Sequence, residues 1–358
     1  MKIIIGMSGG VDSSTVAALL KSQGHEVIGV SMTLWRPDSP FKGGEKAACY
    51  GPNEHLSTEA AQAVCQTLGI PFFAFDCSHE YEEWVIGYFR QEYLAGRTPN
   101  PCVRCNAALK FGLLPEMARR AGIEYDAFAT GHYARVERVE NGRFRILRAV
   151  DQAKDQSYFL CRLSQEQLAH QLFPLGGMHK PEVRELARSF GLMTAERPDS
   201  QDFYSGDTNE LIGEADRMGE IVEAETGKVL GTHTGYWKYT IGQRKGLGVA
   251  STQPLYVTEI DACRNRVVLG RQEAVRHHWL SAEEMNWVSI EAPTRPLECQ
   301  LKVRSVQTPV PCRLSPQPDG TCVAEFPQGI YAVAPGQSAV FYDGDILLGA
   351  GYITAARA

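Results

Sequence analysis

Over the first 130 residues, short apolar runs alternate with segments whose apolar positions recur at helical spacing. That is the pattern of a doubly wound parallel sheet covered by helices on both faces, an α/β fold. Strands are expected at Lys2–Ile5, Val27–Thr33, Pro71–Asp76 and Ala127–Thr130, and helices beginning near Val11, Thr58, His79 and Asn106. Gly24, Gly69 and Gly122 stand where helices should end, the place for a residue that enters the left-handed region without strain. Leu34–Leu56 breaks the rhythm with proline, glycine and asparagine and reads as a long functional or mobile loop. Tyr133–Arg148 reads as a hairpin turning at Asn141-Gly142.

The pattern then changes. A helix over Lys180–Phe190, ended by Gly191, leads into the irregular stretch TAERPDSQDFYSGD, where a first domain ends. From Glu220 to Gly270, β-rich flanks surround turns at Thr226-Gly227 and Arg264-Asn265, giving a small β-containing central module. Beyond about Trp279, short alternating strands at Cys299–Val306, Thr321–Phe326 and Ser338–Tyr342 suit a small barrel or sandwich, and a C-terminal β-barrel is the expectation. The boundaries expected are 1–203, 204–275 and 276–358.

A chain of 358 residues suits two to three domains. No apolar run approaches the roughly 20 residues that span a bilayer, and MKIIIGMSGG lacks the apolar core of a secretion signal, so a cytoplasmic protein without a membrane partner is expected. Ten cysteines are too sparse for a disulfide scaffold, so reduced thiols are expected. The net charge of −6 hides an uneven distribution, for residues 194–225 hold ten acids and two bases, leaving the rest at −6 + 8 = +2. Residues 132–162 carry seven bases against four acids and residues 231–280 seven against three, so each stretch offers a phosphate-contacting face.

The strongest chemical signal lies where strand KIII runs through GMSGGVDSS into the helical VAALLKSQG. Glycines at a strand-to-helix turn let backbone N–H groups approach an anion, and the helix end adds partial positive charge, so a phosphate or pyrophosphate is expected there. A Walker A loop needs GxxxxGK[ST] and a dinucleotide fingerprint GxGxxG; neither fits Gly6, Gly9 and Gly10. What remains is a loop gripping the pyrophosphate that leaves when ATP is split between its α and β phosphates. Ser8, Ser13 and Ser14 are candidate donors, and Asp12 would orient the loop or a magnesium ion.

Cys102 and Cys105 stand in NPCVRCN, read as a proline-held loop just before a helix beginning at Asn106. A helix N-terminus and Arg104 would lower the thiol pKa toward neutrality, giving a nucleophile or metal ligand; a zinc half-site or an inert pair are the alternatives. His132 follows Gly131 at a strand's C-terminal end, where open α/β sheets bind ligands. Arg244 and Lys245 sit between glycines in GQRKGLG, where a bend can aim both at phosphates.

SGGVDSS matches the PP-loop of ATP pyrophosphatases. With GRTPNPCVRCN (Gly96–Asn106), TGHYAR (Thr130–Arg135), KDQSYFL (Lys154–Leu160), PDSQD (Pro198–Asp202), GQRKGLG (Gly242–Gly248) and PGQSAVFY (Pro335–Tyr342), the chain resembles the bacterial tRNA-specific 2-thiouridylase family over nearly its whole length. The resemblance implies a PP-loop catalytic domain that adenylates the C2 oxygen of the wobble uridine in the tRNA anticodon stem-loop with ATP and Mg2+, after which a cysteine-borne sulfur displaces AMP. It implies ATP contacts at Gly6, Met7, Ser8, Gly9, Gly10, Val11, Asp12, Ser13, Met32 and Gly131. It implies tRNA contacts at Asn100, Pro101, Cys102, His132, Lys154, Asp155, Gln156, Arg244, Lys245, Arg304, Ser305 and Gln337, with Cys105 as nucleophile and Asp12 and Cys102 assisting. Two other functions compete, a small-molecule ATP pyrophosphatase ligase and a non-catalytic tRNA- or sulfur-binding relative.

One position departs from the family pattern. Relatives read roughly DSQDICF, whereas this chain has Asp199-Ser200-Gln201-Asp202-Phe203-Tyr204, with tyrosine where the second cysteine is expected. Tyrosine carries no sulfane sulfur. Either Cys102 and Cys105 act together as persulfide carrier and resolving thiol, or they ligate an iron–sulfur cluster of the [4Fe-4S] type with a third cysteine, Cys49, leaving one iron open to bind hydrosulfide. The sulfur source would be a donor protein or hydrosulfide.

Overall fold

The computed structural model describes residues 1–198 and 202–357 of the chain, so Asp199, Ser200 and Gln201 of the PDSQD motif lie outside the described residues. Two compact units emerge: the first comprises Met1–Val85, Pro101–Thr208 and Asp345–Leu347, the second Ile86–Asn100, Asn209–Gly344 and Leu348–Ala358.

The first unit is built on strands β1 (Lys2–Gly6), β2 (Glu26–Thr33), β3 (Ala48–Tyr50), β4 (Phe72–Asp76), β5 (Ala127–Ala129), β6 (Ala134–Arg138), β7 (Phe144–Arg148), β8 (Gln171–Leu172) and β9 (Asp202–Tyr204). Five of them form a sheet in the order β4-β2-β1-β5-β8, and every neighbouring pair is parallel. Ile3, Ile4 and Ile5 of the central strand are fully buried, as a strand with helices on both faces requires. Helix Val11–Ser22 contributes Val16, Ala17 and Leu20 to the same core, and helix Glu54–Leu68 adds Ala61, Val64 and Cys65. The strand order reverses between β1 and β5, and in open sheets of this kind the crevice beyond the C-terminal ends at such a point is where ligands sit.

Three local expectations change. The second helix begins at Glu54 rather than Thr58 because the Glu54 carboxylate turns inward and accepts the backbone N–H groups of Leu34 and Trp35 at 2.8–3.0 Å. The stretch read as a loose loop holds β3, which pairs in parallel with β9, Ala48 opposite Asp202 and Tyr50 opposite Tyr204. The helix expected from Asn106 begins at Pro101, since proline suits the first helical position, and passes through a π-helical turn at Asn106–Leu113 before Leu114–Arg120.

The second unit holds two β assemblies. Strands β10 (Gly219–Glu223), β11 (Val229–His233), β12 (Tyr256–Asp261) and β13 (Arg266–Gly270) form a sheet in the order β11-β10-β13-β12, with Gly227 and Asn265 at positive φ in its turns. Strands β14 (Arg276–Asn286), β15 (Leu297–Lys302), β16 (Val310–Pro316), β17 (Cys322–Tyr331), β18 (Ser338–Asp343) and β19 (Ile346–Arg357) follow the order β14-β17-β16-β15-β18-β19, and β14 also pairs with β19. That pairing closes a barrel and removes the sandwich alternative. Alternate residues such as Cys312, Leu314, Ala324 and Phe326 fill its interior.

Candidate active site

The glycine loop runs from the end of β1 into helix Val11–Ser22, at the switch point. Gly9 has φ +70°, and a Cβ there would lie 2.2 Å from the Ser57 carbonyl oxygen, so both conformation and space demand glycine. Gly131, beyond β5, faces the loop from the other side: its Cβ would come within 2.9 Å of the Asp12 Cβ and the Ser13 nitrogen. Gly6 abuts the Phe128 ring, 3.2 Å from a notional Cβ. The side chains of Met7 and Val11 are buried in the core, and Met32 is half-buried on β2, so Met7 and Val11 can meet a ligand through backbone alone.

The serines divide. Ser14 is fully buried and donates to the Gly10 carbonyl at 2.8 Å, so it braces the helix and is withdrawn from the donor role expected of it. Ser13, also buried, donates more weakly to the same carbonyl at 3.3 Å, accepts the Ser8 N–H at 3.2 Å and stands 3.2 Å from the hydroxyl of Ser8, which is exposed.

Asp12 is held more tightly than the sequence suggested. Its oxygens lie 2.7 and 2.8 Å from the Lys180 ammonium, and the Tyr133 hydroxyl donates to it at 2.8 Å. Arg197 donates to the Gly9 carbonyl at 2.8 Å. Sequence reasoning missed Lys180, Tyr133 and Arg197, which reach the loop from 120 or more positions away; no local pattern announces such partners.

Cys102 and Cys105 lie within the first turns of the helix begun by Pro101, half-buried, and burial pushes their thiols up to about 12 and about 11, away from neutrality. The favourable helix end is outweighed by lost hydration of the thiolate. Arg104 is exposed and donates toward the Trp84 carbonyl at 3.4 Å, whereas Lys110 is the cation that opposes the rise at both sulfurs. An α-helix would turn Lys110 away from Cys105; the wider π-helical turn brings residues five apart back to one side. Cys49, exposed on β3, is within electrostatic reach of both thiols, and all three act on the buried Tyr81 phenol, whose pKa lies well above the usual range chiefly through burial. Among the described residues no group of three or more His, Cys, Asp or Glu side chains is disposed to hold a metal ion.

Tyr204 forms part of an aromatic cluster. It is 2% exposed, its ring lies 5.9 Å from that of Tyr50, and its hydroxyl oxygen accepts the Gly43 N–H at 3.0 Å. Tyr50 in turn packs 4.9 Å from both Trp35 and Tyr81. Where the family pattern puts a thiol, this chain has a latch that fastens the 34–53 segment. His132 lies against Phe111 and Phe173 with its Nδ1 2.8 Å from the Thr130 hydroxyl, and burial first, then Lys110, holds its pKa well below the usual imidazole range.

Of the residues expected to meet RNA in this unit, Asp155 is turned inward, accepting from the Ala149 and Ser157 N–H groups at 3.1 and 3.2 Å, and Gln156 accepts the Tyr133 N–H at 2.9 Å. Both shape the turn that carries the half-buried Lys154; Pro101 is buried. In the second unit Arg244 and Lys245 are exposed beside a cavity of about 320 Å³ lined by residues including Arg244, Gly246 and Gln253. There Arg304 donates to the carbonyls of Ile241 and Ala332 at 3.2 and 3.3 Å, beside the half-buried Ser305, and the Gln337 amide donates to those of Thr98 and Pro99 at 3.0 and 3.1 Å, fixing the approach to Asn100.

Three family models match the chain: a tRNA methyl transferase HUP domain over residues 1–204, a tRNA methyl transferase PRC-barrel domain over 209–271, and an aminomethyltransferase beta-barrel domain over 277–353. The chain is similar to proteins named tRNA-specific 2-thiouridylase MnmA from Endomicrobium trichonymphae, at 44% identity over 99% of each chain, and Geotalea uraniireducens, at 46% over 98% of this chain and 94% of that one. It is likewise 46% identical to the protein of that name from Geobacter metallireducens, over 99% of this chain and 97% of the other.

Proposed function

Because the chain belongs to the tRNA-specific 2-thiouridylase family, we propose that it exchanges the C2 oxygen of the wobble uridine of tRNA for sulfur, consuming ATP and yielding 2-thiouridine, AMP and pyrophosphate. The observation that carries this reading is the glycine loop at the switch point, in the same compact unit as two cysteines that begin a helix. A loop that binds pyrophosphate through backbone N–H groups suits cleavage of ATP between its α and β phosphates, and AMP then becomes the group that leaves C2.

Sulfur delivery follows from the thiols. With Cys105 carrying a persulfide received from a persulfide-bearing donor, its terminal sulfur attacks C2 and AMP departs with the former oxygen. Cys102 then attacks the Cys105 sulfur, the S–S bond breaks toward the base, and the pair is left as a disulfide that a dithiol reductant restores. Tyr204 takes no part in this exchange. What supports this version is that Cys102 and Cys105 stand three positions apart at the start of one helix; the cluster version would add Cys49, which shares their neighbourhood. Magnesium, when bound, would supply charge neutralisation at the phosphates, and both Asp12 oxygens, being on Lys180, are not disposed to hold it.

Lys154 and His132 in the first unit, and Arg244, Lys245, Arg304, Ser305 and Gln337 in the second, are the residues we assign to tRNA, with the chain divided functionally at 203 and 275. No helix among the described residues is long and apolar enough to cross a membrane, which suits work on cytoplasmic tRNA. The test is nucleoside mass spectrometry of tRNA from a deletion strain complemented with wild type, Cys105→Ser or Cys102→Ser. Undiminished 2-thiouridine in the deletion, with no second thiolating enzyme present, refutes the activity. Full activity of the iron-free protein with a persulfide donor is expected; a strict iron requirement would replace the thiol route with the cluster.

A further inference from the structure

The Asp12–Lys180 pair poses a physical problem that the nucleotide reading leaves open. Asp12 occupies the first turn of helix Val11–Ser22, in the loop where a polyanion would bind. An uncompensated carboxylate there would repel the ligand it serves. Lys180 is only 7% exposed, and it is the first residue of its own helix, Lys180–Ser189, the end at which a cation is disfavoured. Its placement is accounted for by Asp12 and not by its own helix. Two contacts, at 2.7 and 2.8 Å, put the ammonium on both carboxylate oxygens, and the same ammonium lies 5.5 Å from the centre of the Tyr133 ring. Its backbone N–H is fixed in turn by the Asp151 carboxylate at 2.9 Å.

We propose that Lys180 is a positioning residue for the nucleotide: it cancels the Asp12 charge and holds that carboxylate aside, so that the loop presents N–H groups and no net negative charge to the phosphates. This rests on the reading of Gly6–Ser14 as the ATP loop. The consequence is selective, because charge cancellation matters in proportion to the charge of the ligand. A carboxylate released about 6 Å from a phosphate opposes it by an amount worth roughly tenfold in affinity. A neutral nucleoside feels nothing comparable.

Equilibrium binding of ATP, inorganic pyrophosphate and adenosine to wild type, Lys180→Met, Asp12→Asn/Lys180→Met and Tyr133→Phe tests this, with thermal unfolding of each variant measured alongside. Lys180→Met should weaken pyrophosphate and ATP about tenfold or more and leave adenosine within twofold. The double variant should recover pyrophosphate binding to within threefold of wild type, and Tyr133→Phe, which keeps the charge balance, should change it little. An equal loss for all three ligands, or none, overturns the proposal while the ATP reading stands. If wild type binds neither ATP nor pyrophosphate, the ATP reading itself falls and this inference with it.

Discussion

Replacing Tyr204 with cysteine restores the residue expected from the family pattern, and the structure forecasts that this unfastens the segment 34–53. A buried tyrosine removes about 150–250 Å² from water, worth ~4–6 kcal/mol at ~25 cal/mol per Å². Cysteine keeps the Cβ and one polarizable atom, so roughly half is lost, and the Gly43 N–H, now bonded to the Tyr204 oxygen at 3.0 Å, forfeits its partner at about 1 kcal/mol. The sum is ~3–4 kcal/mol. It falls on β3 and β9, joined among the described residues by two facing pairs, Ala48 with Asp202 and Tyr50 with Tyr204. The opening equilibrium of the segment should therefore rise between about a hundredfold and a thousandfold, whereas Tyr204→Phe, losing the hydrogen bond alone, should raise it about fivefold. Amide hydrogen exchange of residues 34–53 reads this directly, with helix Val11–Ser22 as internal reference. Equal protection in wild type and Tyr204→Cys, or equal loss in the Phe and Cys variants, would refute the latch.

Other consequences are as direct. Gly131→Ala drives a methyl to 2.9 Å from Asp12 and Ser13, and Gly9→Ala meets the Ser57 carbonyl at 2.2 Å; each should lower ATP affinity by at least about a hundredfold in a nucleotide-binding assay while far-UV circular dichroism is retained. With its thiol pushed up to about 11, Cys105 should be alkylated by iodoacetamide at a rate rising close to tenfold per pH unit from 8 to 10; a plateau by pH 8 contradicts the burial argument. Since the folded thiols resist ionisation, their contribution to stability is complete below the unfolded thiol range near 8.5 and is lost as pH climbs through 11 to 12. His132 has the opposite sense: its lowered folded pKa means that stability present above about 6.5 is lost on acidification as the unfolded imidazole takes a proton, by up to ~1.4 kcal/mol per pH unit, and His132→Gln should flatten urea-denaturation stability between pH 6.5 and 5.

The architecture was legible where local pattern decides it. The isoleucines of β1, the glycine exits at 24, 69 and 122, and the Asn141-Gly142 turn need only neighbouring residues to be read. What escaped depends on distance in sequence. Lys180 reaches Asp12 across 168 positions and Arg197 reaches Gly9 across 188, and neither residue lies in a pattern that names its partner. The helix start at Pro101 is hidden for another reason: in sequence a proline suggests a held loop, although at the first helical position it costs no hydrogen bond.

That shift of a few residues changes the chemistry asked of the cysteines. A thiol at a solvated helix end would be activated by its surroundings, while Cys105, raised by burial more than the Lys110 charge can offset, is kept protonated until a donor arrives. Protonation is no handicap if the nucleophile is the persulfide, because a terminal persulfide sulfur ionises more readily than the thiol that bears it. It is an advantage in the resting state, since a neutral thiol attacks neither activated base nor neighbouring disulfide. The same environment then serves both states: burial silences the bare cysteine, and the Lys110 charge, brought to the Cys105 side by the π-helical turn, supports the anion once sulfur is loaded. Removing that cation should therefore slow transfer from a preloaded persulfide more than it slows loading. Lys110→Met, assayed in single turnover with persulfidated enzyme and adenylated RNA, would contradict this account if both steps slowed equally.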